Sequence, residues 1–66
     1  MAIAKVIEIN AASNESFEDA VNAGISKASE TVHNIRGAWV RKQQVTVEDG
    51  KIGEYRVDLK VSFVLD

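Results

Sequence analysis

The fold of this chain is decided by residues 37–65, which read GAWVRKQQVTVEDGKIGEYRVDLKVSFVL. Two runs of alternating apolar and polar side chains flank the pair Asp49-Gly50. An Asp-Gly pair in this setting is typical of a β-hairpin, because a two-residue type I′ turn needs positive φ at both central residues. The stretch therefore predicts one long hairpin, and Gly53 beside the turn indicates a β-bulge in its second strand.

The position of the turn predicts which residues of the two strands face each other. Side chains alternate between the faces of a sheet, so this register also sorts the hairpin into two surfaces. One surface is largely apolar and needs cover, whereas the other is polar and charged with one large aromatic side chain. We expect the function to lie on the polar surface. The apolar surface carries Ala38, Val40, Val57, Leu59, Val61 and Phe63, and the polar surface pairs Trp39 with Lys60, Arg41 with Asp58, and Gln43 with Arg56.

The length and composition limit how the domain can be stabilised. The chain has 66 residues, no cysteine, one histidine and a formal net charge of −2. A domain this small buries only about 60% of the surface that its unfolded chain exposes, and small domains are often supported by disulfides, a metal or self-assembly. The composition excludes disulfides, thiolate metal sites and histidine clusters. We therefore expect a single domain over residues 1–66 that is supported by self-assembly.

Several partners are not expected from the charge and hydropathy patterns. The charge balance shows no basic excess of the kind that favours nucleic acid. The first residues lack the charged region and apolar core of a signal peptide. No apolar run approaches the roughly 20 residues that a membrane-spanning helix needs. The sequence thus predicts a cytoplasmic protein that uses neither nucleic acid nor a membrane as a partner.

The residues before the hairpin predict one strand and one helix. Alternating β-branched residues predict a strand over residues 2–10. Apolar positions over residues 17–32 recur at i, i+3 and i+4, which predicts a helix that begins after an N-cap at Ser13 and ends near His33 or Asn34. The order is therefore β-α-β-β. It predicts an α+β fold in which a three-stranded antiparallel sheet packs on one helix in two layers.

The polar surface carries the residues that predict a binding site. Trp39 is the only tryptophan, and it suits either a subunit interface or a stacking platform for a planar ligand. The cations around it either pair with acidic neighbours or hold a phosphate or carboxylate. Asp58 and Glu54 offer oxygen ligands for Ca²⁺ or Mg²⁺, although no EF-hand spacing is present. No nucleophile–base pair is evident, so we expect no enzyme. The cations are Arg36, Arg41, Arg56 and Lys60.

The chain resembles the dodecin family over nearly its whole length. The resemblance rests on KVIEI at residues 5–9, ASETV at 28–32, the bend at 34–36 and YRVDLKVSF at 55–63. It implies a β-α-β-β subunit that assembles into a hollow homododecamer of tetrahedral symmetry. The best-known members of the family bind flavins without catalysis. They stack isoalloxazine rings in pairs against tryptophans of symmetry-related subunits and are thought to store the flavin.

Two positions depart from the pattern of the flavin-binding members. Gly37 stands where the stacking tryptophan of those members is expected, and Arg56 stands where a ring-contacting glutamine is expected. Trp39 lies two residues further on, which places it on the same face as position 37, and Gln43 is predicted opposite Arg56. The departures leave two alternatives, a flavin site built from shifted residues or a flavin site that has been lost. Arg56, and the Ile-Arg pair before a small residue, also resemble the calcium-binding branch of the family, which lacks the flavin tryptophan.

Two hypotheses follow for the function. The first is a non-enzymatic, self-assembling protein that binds or stores FMN or riboflavin between subunits. In this hypothesis Trp39 stacks on the ring, Arg56 and Gln43 contact the ring or phosphate, and Arg41 or Lys60 supplies charge. The alternative is a dodecin-type shell without a flavin site that binds Ca²⁺ or Mg²⁺ or has a purely structural role. The candidate ligand residues of the first hypothesis are Trp39, Arg56, Gln43, Arg41, Lys60 and Gly37, and the candidate metal ligands of the alternative are Asp58 and Glu54.

Overall fold

The computed structural model describes residues 3–65, so the predicted strand residue Ala2 lies outside the described part. Its elements follow the order β-α-β-β, and the strands form one antiparallel sheet in the order β1-β3-β2. The predicted α+β architecture is therefore confirmed, with β3 as the central strand. The elements are β1 (Ile3–Ser13), α1 (Phe17–Ala28), β2 (Ile35–Glu48) and β3 (Lys51–Leu65).

The hairpin turns where the sequence predicts. The φ angles are 51° for Asp49 and 74° for Gly50, and both are positive, as a type I′ turn requires. The predicted register is confirmed next to the turn and again at the far end of the hairpin. The confirmed pairs are Glu48 with Lys51, Val47 with Ile52, Val40 with Leu59, Trp39 with Lys60, and Ala38 with Val61.

A bulge at Gly53 displaces the register in the middle of the hairpin. The pairing steps from Val47–Ile52 to Val45–Tyr55, so β3 holds one residue more than β2 over this interval. A Cβ atom at Gly53 would lie 2.8 Å from Thr46 Oγ1, which is too close for an unstrained contact. Glycine here lets the Thr46 hydroxyl accept a hydrogen bond from the Glu54 backbone N–H at 2.8 Å.

A second bulge, on β2, restores the register. Arg41 is the extra residue between Val40 and Lys42, and it compensates for the extra residue on β3. The four β2 residues between the two bulges are therefore displaced by one position, and the predicted pairs Arg41–Asp58 and Gln43–Arg56 are wrong. The observed pairs are Lys42 with Asp58, Gln43 with Val57, Gln44 with Arg56, and Val45 with Tyr55.

The start of the helix differs from the prediction. The N-cap is Ser16, whose hydroxyl accepts from the Asp19 N–H at 2.9 Å. The predicted N-cap, Ser13, is instead the last residue of β1. Its hydroxyl donates to Asp19 Oδ2 at 2.6 Å and accepts from the Glu15 N–H at 2.9 Å. Both serines thus bond to the first turn region, but Ser16 is the one directly before Phe17, where the helix begins.

The end of the helix also differs from the prediction. α1 ends at Ala28, before the predicted end at residues 33–34. Asn34 adopts a positive φ of 63°, and its carbonyl accepts from the Val64 N–H at 3.1 Å. The chain must leave the helix early to bring β2 beside β3, so strand pairing overrides the helical periodicity. Of the bend at residues 34–36, Ile35 and Arg36 accordingly lie inside β2.

The core lies between α1 and two of the three strands. α1 packs on β1 and β3, and Gly24 allows close contact, since a Cβ atom there would lie 3.1 Å from Ala11 Cβ and 3.2 Å from Leu59 Cδ1. Within residues 3–65 the fully buried apolar side chains are Ala20, Val57, Leu59 and Val61. Ala38 and Val40 share the apolar surface but are exposed, as are all β2 residues over 36–44.

Candidate functional site

The face of the sheet opposite α1, called the open face below, carries most of the predicted site. Residues directly opposite each other on paired strands share a face, so the pairings of β3 with both neighbours define its membership. On β3 the open face consists of the residues that alternate with buried Val57, Leu59 and Val61. Its members are Val6, Glu8, Asn10 and Ala12 on β1, Gly37, Trp39, Lys42 and Gln44 on β2, and Arg56, Asp58, Lys60 and Ser62 on β3.

Three predicted ligand residues meet at one depression of about 550 Å³. Trp39, Arg41 and Lys60 line it together with two apolar residues, Val6 and Val40. The Trp39 side chain is 58% exposed, which is unusual for a side chain with so much apolar area. The depression therefore combines an accessible indole, an apolar surround and two cationic side chains.

A carboxylate from β1 bridges the two cations of this depression. Glu8 Oε1 lies 3.2 Å from Arg41 Nη1 and 3.9 Å from Lys60 Nζ. Glu8 and Lys60 are paired across the sheet, whereas Arg41 must reach over β3 to make this contact. The bulge at Arg41 accounts for that reach, because bulges redirect the side chains they carry. The predicted contact of Arg41 with Asp58 is replaced by this ion pair.

A second, more polar depression lies further along the open face. It has a volume of about 360 Å³ and is lined in part by Arg56, Glu54, Gln44 and Asp58. Arg56 donates from Nε and Nη2 to Glu54 Oε1 at 3.1 and 2.9 Å. Gln43, which the sequence predicts here, pairs instead with buried Val57 on the helix side. The amide side chain opposite Arg56 is therefore that of Gln44.

Gly37 lies beside the first depression, two residues before Trp39 on the same strand. It pairs with Ser62 on the open face. A Cβ atom at this position would meet only the Ser62 hydroxyl, at 3.6 Å. The surface next to the Trp39 indole is consequently low and unobstructed, and a flat ligand could extend over it.

The acidic candidates are set among cations and amides. Glu54 accepts both hydrogen bonds from Arg56, and Asp58 pairs across the sheet with Lys42 on one side and Asn10 on the other. Over residues 3–65, no group of three or more histidine, cysteine, aspartate or glutamate residues is placed to hold a metal ion. In the same part of the chain, no helix is both long and apolar enough to cross a membrane.

Sequence reasoning missed Glu8 and Gln44 at these depressions. The Gly53 bulge carried the signal for Gln44, since counting one extra residue on β3 sets Gln44 opposite Arg56. The apolar pair Val40–Leu59 then signals a second bulge that brings the register back. Glu8 gave no such signal, because no tight turn links β1 to β3 and the sequence leaves their register open.

Comparison with known proteins gives a consistent family assignment. The family model described as Dodecin matches residues 3–66. The calcium dodecin of Mycobacterium tuberculosis is 41% identical over 64 residues, which cover 96% of this chain and 89% of the relative. Among solved structures, a dodecin from Streptomyces davaonensis superposes with a TM-score of 0.94 at 34% identity, covering 98% of this chain and 96% of that one.

A second solved structure carries a ligand in its description. It is the calcium dodecin of Mycobacterium tuberculosis, described as a calcium-chelating antigen with a novel calcium-binding site. It superposes with a TM-score of 0.84 at 38% identity and covers 97% of this chain and 91% of its own. Calcium is thus named in the description of one relative of this chain.

Proposed function

This chain belongs to the dodecin family, and we propose that it is a non-enzymatic, self-assembling protein that binds and stores a flavin, FMN or riboflavin, between its subunits. The observation that carries the proposal is Trp39, an indole more than half exposed in an apolar depression flanked by Arg41 and Lys60. Pockets that bind small planar molecules are mostly apolar, with a few polar groups that fix the ligand's orientation.

Self-assembly is supported by the apolar surface that a single chain leaves uncovered. The subunit is elongated, with extents of 52 × 19 × 13 Å, and α1 packs on only part of it. At the hairpin tip, Val47 and Ile52 form a cross-strand pair whose side chains are 64% and 54% exposed. An exposed apolar pair at the hairpin tip supports contact with another subunit there. Further copies of the chain would cover it, and the family resemblance suggests a homododecamer.

In the proposed complex the isoalloxazine ring stacks on the Trp39 indole. Offset stacking of aromatic rings contributes about 0.5–1.5 kcal/mol beyond the free energy gained from the buried area. The low surface at Gly37 gives the ring room beside the indole, and a Trp39 side chain from a neighbouring subunit can close the other side. Arg41 and Lys60 supply positive charge for a phosphate. This arrangement uses a stacking residue two positions later than the family pattern does.

Arg56 and Gln44 have a secondary part in the proposal. Arg56 lies four residues along β3 from Lys60, which is about 13 Å at roughly 3.3 Å per strand residue. At that distance from a phosphate beside Lys60, Arg56 would contact a ligand held by a neighbouring subunit. Gln44 offers an amide donor and acceptor beside it, in place of Gln43.

The test is a titration of riboflavin and of FMN with purified protein, followed by flavin fluorescence. The proposal predicts strong quenching that saturates at a fixed ratio per subunit. Trp39→Ala should abolish saturation, whereas Trp39→Phe should retain weaker binding because it keeps an aromatic face. Size-exclusion chromatography of all three proteins is the control for assembly. Unchanged quenching by the Trp39→Ala protein would refute stacking on Trp39, and unchanged quenching together with disrupted assembly would assign Trp39 to the subunit interface instead.

A cation-binding shell is the second candidate function. It is favoured by the 41% identity to a relative named calcium dodecin and by the presence of Gly37 and Arg56 at the two positions that depart from the flavin pattern. Asp58 and Glu54 would supply oxygen ligands, with Glu54 released from Arg56. Calorimetric titration with Ca²⁺ and Mg²⁺ tests this candidate. Heat that saturates in the wild type and disappears in Asp58→Asn would favour it over a flavin site.

A further inference from the structure

We infer that Glu8 competes with the ligand's anion for the two cations beside Trp39 and thereby sets the charge selectivity of the site. The inference rests on the proposed function, since it concerns the same depression. It assigns a role to a β1 residue whose side chain does not line that depression but controls two side chains that do. The charge that Glu8 removes from the site decides whether a phosphate adds to binding.

The geometry places one carboxylate oxygen between two positive groups. Glu8 Oε1 is 3.2 Å from Arg41 Nη1 and 3.9 Å from Lys60 Nζ. Carboxylates and phosphates use the same guanidinium and ammonium donors. A ligand phosphate that approaches these donors therefore meets a site already occupied by an anion of the protein itself.

The charges of the three groups define the selectivity. Arg41 and Lys60 contribute two positive charges and Glu8 removes one, so the depression keeps a net charge of about +1. A phosphate must either displace the Glu8 carboxylate or sit beside it against its repulsion. A neutral ligand such as riboflavin has no such competition. The wild-type site is thus expected to distinguish poorly between FMN and riboflavin, although it contains two cations.

The position of Glu8 separates this role from a structural one. Its side chain is 64% exposed, so it adds little to the core, and its pairing with Lys60 in the sheet uses backbone groups. Exposed ion pairs contribute little to stability. Glu8→Gln removes the charge and keeps the shape, so the variant should fold and assemble as the wild type does.

The experiment measures FMN and riboflavin affinity of the wild type, of Glu8→Gln and of a matched control, Glu30→Gln. Glu30 also forms an exposed ion pair, at 3.5 Å from Lys27 Nζ on α1, but it lies away from the open face. Glu8→Gln should tighten FMN binding by roughly three- to tenfold and change riboflavin binding by less than about twofold. Added salt should shrink the FMN gain, because ions screen exposed charges. Glu30→Gln should change neither affinity.

Two results would overturn the inference while leaving the flavin site intact. One is an equal change for FMN and riboflavin in Glu8→Gln, and the other is no change for either flavin. If none of the three proteins binds flavin, the proposed function fails. A titration of the wild type and Glu8→Gln with inorganic pyrophosphate then tests the inference. Pyrophosphate should perturb the Trp39 fluorescence of the Glu8→Gln protein at a lower concentration than it perturbs that of the wild type. Equal concentrations would refute competition by Glu8.

Discussion

The two faces of the sheet are built from the same three strands but differ in what covers them. The helix-side face of β1 and β3 packs under α1, where the Leu59 side chain is 0% exposed. The open face leaves Trp39, Glu8 and both cations of the first depression in contact with solvent. On β3 the two environments alternate residue by residue, so neighbours such as Leu59 and Lys60 are subject to different constraints.

Because the two faces are covered differently, substitutions on one act on stability and substitutions on the other act on binding. On the covered face, volume and shape decide, because interiors are close-packed and any removed methylene is felt. On the open face, charge and aromatic area decide, because the side chains are hydrated and the fold does not depend on them. Variants at adjacent positions of one strand should therefore separate the two roles.

Leu59→Ala should have the largest effect on stability, because it removes a buried side chain from the covered face. Removing a fully buried leucine costs about 2–5 kcal/mol of unfolding free energy through lost burial and the cavity that remains. The measurement is the midpoint of urea unfolding at one fixed protein concentration, since assembly makes apparent stability depend on concentration. Lys60→Ala, its neighbour on the open face, should stay within about 0.5 kcal/mol of the wild type. Equal losses in both variants would contradict the division into faces.

Gly24→Val should have the next largest effect, by pushing α1 away from the sheet. A side chain at Gly24 would lie within 3.2 Å of both Ala11 Cβ and Leu59 Cδ1, and overpacking of this kind costs about 1–3 kcal/mol. Ala23→Val is the matched control on the exposed side of the same helix. Valine there should cost only roughly 0.5 kcal/mol of unfolding free energy, because its helix propensity is lower than that of alanine. Thermal unfolding followed by circular dichroism compares the two. A milder loss at Gly24 than at Ala23 would refute the close contact.

The sequence predicts most of the fold because its local signals agree with its tertiary structure. Asp49-Gly50 specifies the turn, and the alternation in β3 marks the buried residues correctly. The helix ends are harder, since Ser13 and Ser16 both suit an N-cap, and Ser16 is distinguished by its place directly before Phe17. The early end at Ala28 depends on strand pairing, which no local pattern contains.

The candidate site is predicted less completely because bulges decide it. Trp39 and Lys60 lie in the part of the hairpin where the two bulges cancel, so their pairing follows from the turn alone. Gln43 and Gln44 lie between the bulges, where an error of one residue moves a side chain to the other face. Arg41 has its own contact, with Glu8, because it is the extra residue. Two similar glutamines in sequence give no local clue to which one faces Arg56.

Gly53→Ala should have the smallest of these stability effects and test what holds the first bulge. The new methyl group would displace the Thr46 hydroxyl from its 2.8 Å hydrogen bond with the Glu54 N–H. The expected loss is about 1 kcal/mol, the usual net value of one hydrogen bond. In a Thr46→Ala background the same substitution should cost less, because the obstruction and the bond are already gone. Additive losses in the double-mutant cycle would contradict this coupling.

The emission of Trp39 itself gives the most direct test of a flavin site on the open face. Because Trp39 is the only tryptophan of the chain, its fluorescence reports on one place on the open face. Riboflavin would be titrated into the protein, with N-acetyltryptophanamide as the control for light absorbed by the flavin. A flavin stacked on Trp39 predicts saturable loss of most of the emission, well beyond that of the control. Quenching no greater than in the control would contradict a flavin site on the open face.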